Sequence, residues 1–327
     1  MNISSRRTLL ASLSLALAAG VGPALAQDAG YPAKTIRLVI PTAAGGGMDA
    51  MTRMIAEKLS DAWKQAVIVD NRAGGNGAIA YAAVANAAPD GYVVGLTLSS
   101  LVQTPLLYKA ASAFSPKALT PFVVVAMLPN GFAVGKDVPV NSVAQFIEWA
   151  RKQPNGVDYG SSGAGSSGNI MGGTLASAAG IQMLHVPFKG EAPATQALIG
   201  GQIKAVMAAP GSLVAQGKGG ALKVLAVALP SRLKEYPDIP TFAEAGYPNV
   251  NLSGWSMGIL PLGTPKPIAD KLAAEITRIV RLPDVAARIS ALGFQSEGST
   301  PEAARQFYDT ELQRWDAAIK TSKVTIE

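Results

Sequence analysis

The chain of 327 residues contains no cysteine and a single histidine, and each shortage removes a class of chemistry. Without thiols there is no disulfide framework, no thiol nucleophile and no thiolate metal site, so stability must come from a buried core. With His185 as the sole imidazole, no typical histidine metal site can be built, and carboxylates at metal-ligand spacing are not apparent. Charged residues make up 15% and aromatic residues 6% of the chain. The 28 Lys and Arg against 22 Asp and Glu are scattered rather than gathered into a stripe, which excludes a nucleic-acid footprint. Long apolar runs are also missing: Leu9 to Val21, at about 13 residues, is too short to span a bilayer comfortably, and nothing later exceeds it without polar interruption.

What is present reads first as export. Arg6 and Arg7 form a basic start, Leu9 to Val21 an apolar stretch, and Ala24-Leu25-Ala26 a small-residue cleavage site, so residues 1–26 are expected to be a signal peptide with a mature start at Gln27. Ser5-Arg6-Arg7-Thr8-Leu9-Leu10 resembles a twin-arginine signal, while two arginines in an ordinary signal read equally well. Either route ends outside the cytoplasm. Loss of the two arginines takes the formal charge from +6 to +4, a mild positive balance that suits an anionic ligand.

At 49% hydrophobic, the chain can bury more than one core, and two domains are expected. Short Val, Ile and Leu runs alternate with helical patterns, which argues for α/β layers with parallel strands. Ile36 to Ile40 reads as a buried strand, and Met51, Ile55 and Leu59 mark a helix over 49–63 with Asp49 as its N-cap. Strands follow at 66–69, 92–98 and 122–127, with a helix over 78–87. A second set of units opens with Ser142 and Gln145 as a capping box. It continues with strands at 157–159, 183–186, 205–208 and 224–229 and helices at 170–179 and 192–199. Three helices, 267–281, 284–292 and 301–321, close the chain. The expected division is 27–126 plus 249–327 as one domain and 127–248 as the other.

Two glycine-rich loops between a strand and a helix start carry the chemistry. Thr42-Ala43-Ala44-Gly45-Gly46-Gly47-Met48-Asp49 offers backbone amides that an anion can approach closely. It has neither the Lys-Ser/Thr of a P-loop nor the full dinucleotide spacing, so no cofactor is expected. Tyr159-Gly160-Ser161-Ser162-Gly163-Ala164-Gly165-Ser166-Ser167-Gly168-Asn169 adds four serines and an amide at a second helix start, a set of neutral donors suited to a carboxylate. Open α/β sheets bind at the carboxyl ends of their strands, so the two loops are expected to face each other across a cleft.

At these residues the chain resembles the Bug-type extracytoplasmic solute receptors of tripartite tricarboxylate transporters. The resemblance covers essentially all of the mature chain. It rests on Tyr31-Pro32, Gly45-Gly46-Gly47 with Asp49, Asn71-Arg72 before Gly74-Gly75, Ala88-Pro89-Asp90-Gly91-Tyr92 and Tyr159-Gly160-Ser161 with Gly163 and Gly165-Ser166-Ser167. It extends through His185-Val186-Pro187-Phe188-Lys189-Gly190, Gly200-Gly201-Gln202, Pro237-Asp238-Ile239-Pro240-Thr241 with Glu244-Ala245-Gly246, and Gly263-Thr264-Pro265. It implies a periplasmic binding protein fold, two α/β domains with a hinge and a cleft that closes on one organic acid. Partners implied are a small carboxylate ligand and a two-subunit membrane permease, with the receptor itself a monomer. Carried over by position, the ligand residues are Thr42, Ala44, Gly46, Met48 and Asp49 from the first loop and Ser161, Gly163, Gly165, Ser166 and Ser167 from the second, to which Asn169 is added. The family commonly has Phe at 42, Pro at 44, Thr or Ser at 48 and His at 169, where this chain has Thr42, Ala44, Met48 and Asn169. Family receptors for amino acids place an acid for the ammonium around positions 208 and 209, which here are Ala208 and Ala209. The expected ligand therefore lacks an ammonium: a di- or tricarboxylate, or an aromatic carboxylate if Met48 and Trp255 form an apolar wall.

Rival functions share these features. A receptor could present its closed form to a sensor kinase instead of a permease. A secreted hydrolase is disfavoured, because Gly163-Ala164-Gly165-Ser166-Ser167-Gly168 is not Gly-x-Ser-x-Gly and only His185 could serve as base. His185 is read as structural, Trp63, Trp149 and Trp315 as packing residues, and Lys189 as a solvated loop charge.

Overall fold

The computed structural model describes residues 30–108 and 114–325; the expected signal peptide at 1–26 lies outside them. From Lys34 on, the described residues pack as one compact unit around two mixed sheets.

The first sheet begins with β1 (Ile36–Ile40), parallel to both β2 (Val67–Asn71) and β3 (Val93–Leu98), with α1 (Gly47–Trp63) and α2 (Ala78–Ala85) as the crossovers. β1 is an almost unbroken apolar run because helices cover both of its faces. After β3 comes α3 (Ser100–Leu107), then β4 (Leu119–Leu128). The chain passes to the second sheet and returns as β10 (Gly254–Pro261), which slots between β3 and β4 antiparallel to both. Space there is tight: a Cβ at Gly258 would lie 2.6 Å from Phe122 and Val123, so that strand position requires glycine. The short β11 (Gln295–Ser296) completes the order β11-β4-β10-β3-β1-β2.

The second sheet holds β5 (Gly131–Gly135), β6 (Val157–Ser161), β7 (Met183–Pro187), β8 (Ala205–Ala208) and β9 (Leu222–Val227) in the order β7-β6-β8-β5-β9. β6 is parallel to β7 and β8, while β5 is antiparallel to β8 and β9. Its helices are α4 (Val143–Ala150), α5 (Ser167–Ala179), α6 (Glu191–Ile199) and α7 (Pro210–Gly217). Ser142 caps α4 by accepting from the Gln145 N–H, and the Gln145 side chain reaches back to the Asn141 N–H, one residue before the cap. The chain crosses between the sheets at 128–131 and at 227–254.

The last three helices are α8 (Lys266–Val280), α9 (Pro283–Ala291) and α10 (Pro301–Ser322). α10 packs on β4 and α3 of the first sheet and on α5 of the second. Gly173 of α5 allows this approach, since a Cβ there would stand 2.7 Å from the Ser322 carbonyl, while Gly172 lets the same helix close on β6, where a Cβ would stand 2.1 Å from the Tyr159 ring. The core of the first sheet gathers Val39, Tyr81, Trp255, Met257 and Trp315, and takes in Ile170 from α5. The second core gathers Phe132, Phe146, Tyr159, Leu175 and Phe242.

Three expectations are corrected here. The strands are not all parallel: β5 and β10 run against their neighbours, because each follows a direct sheet-to-sheet crossing instead of a βαβ helix. α1 starts at Gly47 with Gly46 as its N-cap, so Asp49 lies inside the first turn instead of capping it. Trp255 is fully buried in the first core, where its indole N–H donates to Glu311 at 2.9 Å, and supplies no cleft wall. Glu311 also accepts from the Trp315 indole at 3.1 Å and from Arg314 at 2.6 Å, which accounts for a carboxylate in that core.

Candidate functional site

The two loops are built on one plan. In the first, Gly45 adopts φ +89° and its N–H donates to Asp49 Oδ2 at 2.9 Å, curling the loop onto the start of α1. In the second, Gly165 adopts φ +70° and its N–H donates to Asn169 Oδ1 at 3.0 Å, curling that loop onto the start of α5. Both bonds join a residue to the side chain four places on, and both N-caps that lie between, Gly46 and Ser166, are extended. The glycines are needed because a left-handed φ at that point would strain any side chain with a Cβ.

Asp49 is occupied on every side. Arg53 donates to Oδ2 at 2.9 Å and the Asn71 amide donates to Oδ1 at 2.9 Å, the same amide also reaching the Thr42 carbonyl at 3.1 Å. The Arg53 hydrogen bond first, then those from Gly45 and Asn71, hold its carboxyl far below the usual carboxylate range despite burial. Asn169 is similarly spent: its Nδ2 donates to the Tyr159 hydroxyl at 3.1 Å, which in turn donates to the Asn169 carbonyl at 2.9 Å. Burial pushes the Tyr159 hydroxyl up to about 12, so it stays a donor. Ser166 caps α5 through the Asn169 N–H at 3.3 Å, and Ser161, fully buried, lies 3.0 Å from Ser166 and 2.7 Å from His185 Nε2. Burial pushes His185 down to about 4, which leaves the ring neutral near pH 7. The serine and the half-buried histidine thus form a strut beneath the loop, and Lys189 is exposed, as expected for a solvated charge.

Both helix starts open onto one cavity of about 410 Å³. Gly47 and Met48 face it from α1; Ser166, Ser167 and Gly168 face it from α5. The first amides of each helix have no carbonyl four residues back and carry the positive end of the helix dipole, so the two starts form a donor-rich pole for an anion. Met48, Ser166 and Ser167 are thus brought together as the sequence predicts. Thr42, Ala44, Gly46, Asp49, Ser161, Gly163, Gly165 and Asn169 are not part of the cavity wall; they shape the loops that make it.

Sequence reasoning missed several wall residues. Asn76 sits in the left-handed region at φ 48° and ψ 41°, and its buried Nδ2 has no partner, so a donor is held ready beside the cavity. An Asn inside Gly74-Gly75-Asn76-Gly77 was the available signal. Ser99 and Gln103 come from α3 and its cap, a helix the periodicity did not reveal. Gln103 Nε2 donates to Ser167 Oγ at 3.0 Å, and Ser99 Oγ lies 3.1 Å from Ser167 Oγ, so the two sheets' loops are hydrogen-bonded at the cavity floor. Leu98, Leu128, Leu292 and Phe294 supply the apolar surface that Trp255 does not. Phe294 explains Gly47 as well, since a Cβ there would lie 3.0 Å from its ring. Finally, Glu191, the first residue of α6, lines the cavity and accepts from the Ala209 N–H at 2.9 Å. The acid absent from positions 208 and 209 in sequence is therefore delivered there from α6, and the reason for excluding an ammonium ligand falls.

The family model of the tripartite tricarboxylate transporter family receptor matches residues 51–324. The chain belongs to this family. Such receptors bind solutes and do not catalyse. A Pseudomonas protein of strain P51, named for the tcbD-tcbE intergenic region, is 32% identical over 96% of this chain and 94% of its own length. Protein BugT of Bordetella pertussis is 29% identical over 95% and 96%. Among solved structures, an R. palustris protein with adipate superposes with a TM-score of 0.80 at 29% identity, covering 90% of this chain and 99% of that one. A second, MatC of Rhodopseudomonas palustris with bound malate, gives a TM-score of 0.75 at 27% identity over 88% and 100%. The periplasmic binding protein BugD gives 0.76 at 29% identity over 91% and 100%. The receptor thus has the periplasmic binding protein fold. Among its described residues no helix is long and apolar enough to cross a membrane.

Proposed function

We propose that the receptor captures a small dicarboxylate in the periplasm and delivers it to a two-subunit membrane permease of the tripartite type. The observation that carries this reading is the convergence of the α1 and α5 starts on one cavity whose described wall has no basic side chain. An anion there is met by amides, hydroxyls and the Asn76 amide, which satisfy a desolvated charge without a counter-ion. The volume falls in the lower part of the range of small-molecule sites, about 300–1,000 Å³. The apolar stretch from Met48 to Phe294 suits the methylenes between two acid groups. The related structures with adipate and with bound malate support the class. The two sheets act as lobes, divided at 126/127 and 248/249, that close by a hinge at the crossings.

The test is a thermal-shift screen of linear dicarboxylates, tricarboxylates, aromatic acids and amino acids, followed by calorimetry. A ligand that binds only the folded state raises Tm by mass action. A linear dicarboxylate is expected to give the largest rise. Saturation by an aromatic acid or a sugar, with no response to dicarboxylates, would overturn the reading.

A further inference from the structure

Among the described residues of the cavity wall Glu191 is the one ionisable side chain; the other polar side chains are serines, asparagines and a glutamine. It shares the wall with Ala209 and Ser212, and is tied to the first of these by the Ala209 N–H. No cation is set against it. Its own helix has no other titratable residue. On β5, β6 and β8, the strands α6 packs against, the titratable residues are Asp158, which is exposed, and Tyr159, whose hydroxyl is engaged with Asn169. α7 beside it carries none, and Lys189 before it points to solvent. One carboxyl oxygen, Oε2, accepts the Ala209 N–H, which leaves Oε1 for another partner.

We propose that Glu191 meets the ligand as a neutral acid and donates its proton to the ligand's second carboxylate, so that capture of a dianion takes up one proton from solution. The inference rests on the dicarboxylate reading above. An ionised Glu191 would set two like charges in a desolvated space, whereas a neutral one makes a charge-assisted O–H···O⁻ bond. The balance is simple: the proton comes from solvent, stays on the Glu191 oxygen, and no covalent bond changes. Burial already raises Glu191 above the usual carboxylate range, opposed only by the Ala209 N–H, and a second anion raises it further. Proton uptake then occurs between the free and the liganded values. Affinity is full below the free value and falls as pH rises above it, with a limiting slope of about tenfold per pH unit.

Calorimetry of adipate and its shorter and longer homologues, from about pH 6 to 9 where both ligand carboxylates are ionised, reads this out. Two buffers of different ionisation enthalpy count the protons. Glu191→Gln is the matched variant, because its amide oxygen can still accept from Ala209 while its NH₂ donates permanently. The expected result is proton uptake and pH-dependent affinity in the native receptor, with neither in the variant, which should bind the dianion tighter than the native receptor at the alkaline end. Dicarboxylate binding that is flat with pH and takes up no proton overturns the proposal while leaving the function intact. Tighter binding of an amino acid than of any dicarboxylate, abolished in Glu191→Gln, overturns it by showing an ionised Glu191. If neither protein binds any dicarboxylate, the reading on which the proposal rests fails first.

Discussion

Asp49 and Asn169 occupy the same place in two loops that share little else in sequence. Each ties a left-handed glycine four residues earlier to the first turn of a helix, and each is buried and fully hydrogen-bonded. Their effect on ligand is one of position: they hold the helix starts open to the cavity. Asp49→Ala removes the acceptor for Gly45, Arg53 and Asn71 together, and is expected to cost about 1–3 kcal/mol of stability and to weaken ligand binding roughly tenfold. A denaturant melt and calorimetry on the same protein separate the roles. Loss of affinity with unchanged stability would mean that Asp49 touches the ligand. In sequence the two residues read as ligand groups because they stand at the right offset from the glycines, and offset alone does not tell which way a side chain turns. Met48, Ser166 and Ser167 do line the cavity, because the residues at a helix start face whatever the loop surrounds.

At the scale of elements, α5 is the piece both halves share. It begins at the cavity with Ser166 as its cap, lays Gly172 on Tyr159, and lets the end of α10 approach at Gly173. Gly173→Ala would place a methyl group against the Ser322 backbone, far from any ligand contact. Overpacking of that kind costs about 1–3 kcal/mol, and here the atom met first is a backbone carbonyl that cannot swing aside. The expected outcome is a lower midpoint in urea with dicarboxylate affinity retained once the protein is folded; an unchanged midpoint would mean that α10 does not seat there. The elements legible in sequence were those with strong periodicity or a cap, such as β1, α1, α4 and α8. Those missed include α3, α7, β5, β10 and the two-residue β11. α3 and α7 are eight-residue helices with a proline or a glycine inside, and β10 is buried at every position, so neither a 3.6-residue nor a two-residue alternation is left to read.

For the whole molecule, the bonds from Ser99 and Gln103 to Ser167 join the two sheets' loops across the cavity floor. If the lobes part in the free receptor, these bonds are among the first contacts to break and the last to form. Because the chain has no cysteine, a Ser99→Cys and Ser167→Cys pair is the sole thiol pair in the protein, and its oxidation reports closure without interference. Adipate is expected to speed the cross-link and to reduce the radius of gyration in small-angle scattering. Equal cross-linking rates with and without saturating ligand would count against closure.

The sequence by itself determined the α/β class, the family and the two donor loops, because these depend on local patterns: apolar runs, glycines where the backbone must turn left-handed, and hydroxyls at helix starts. Only the tertiary structure decided which side chains line the cavity. Asn76, Gln103, Phe294 and Glu191 come from four separate segments that meet at one cavity, and Trp255 and Asp49 are withdrawn from it by partners distant in the chain or hidden beneath a loop. Direction and burial are set by long-range packing, which no local spacing encodes.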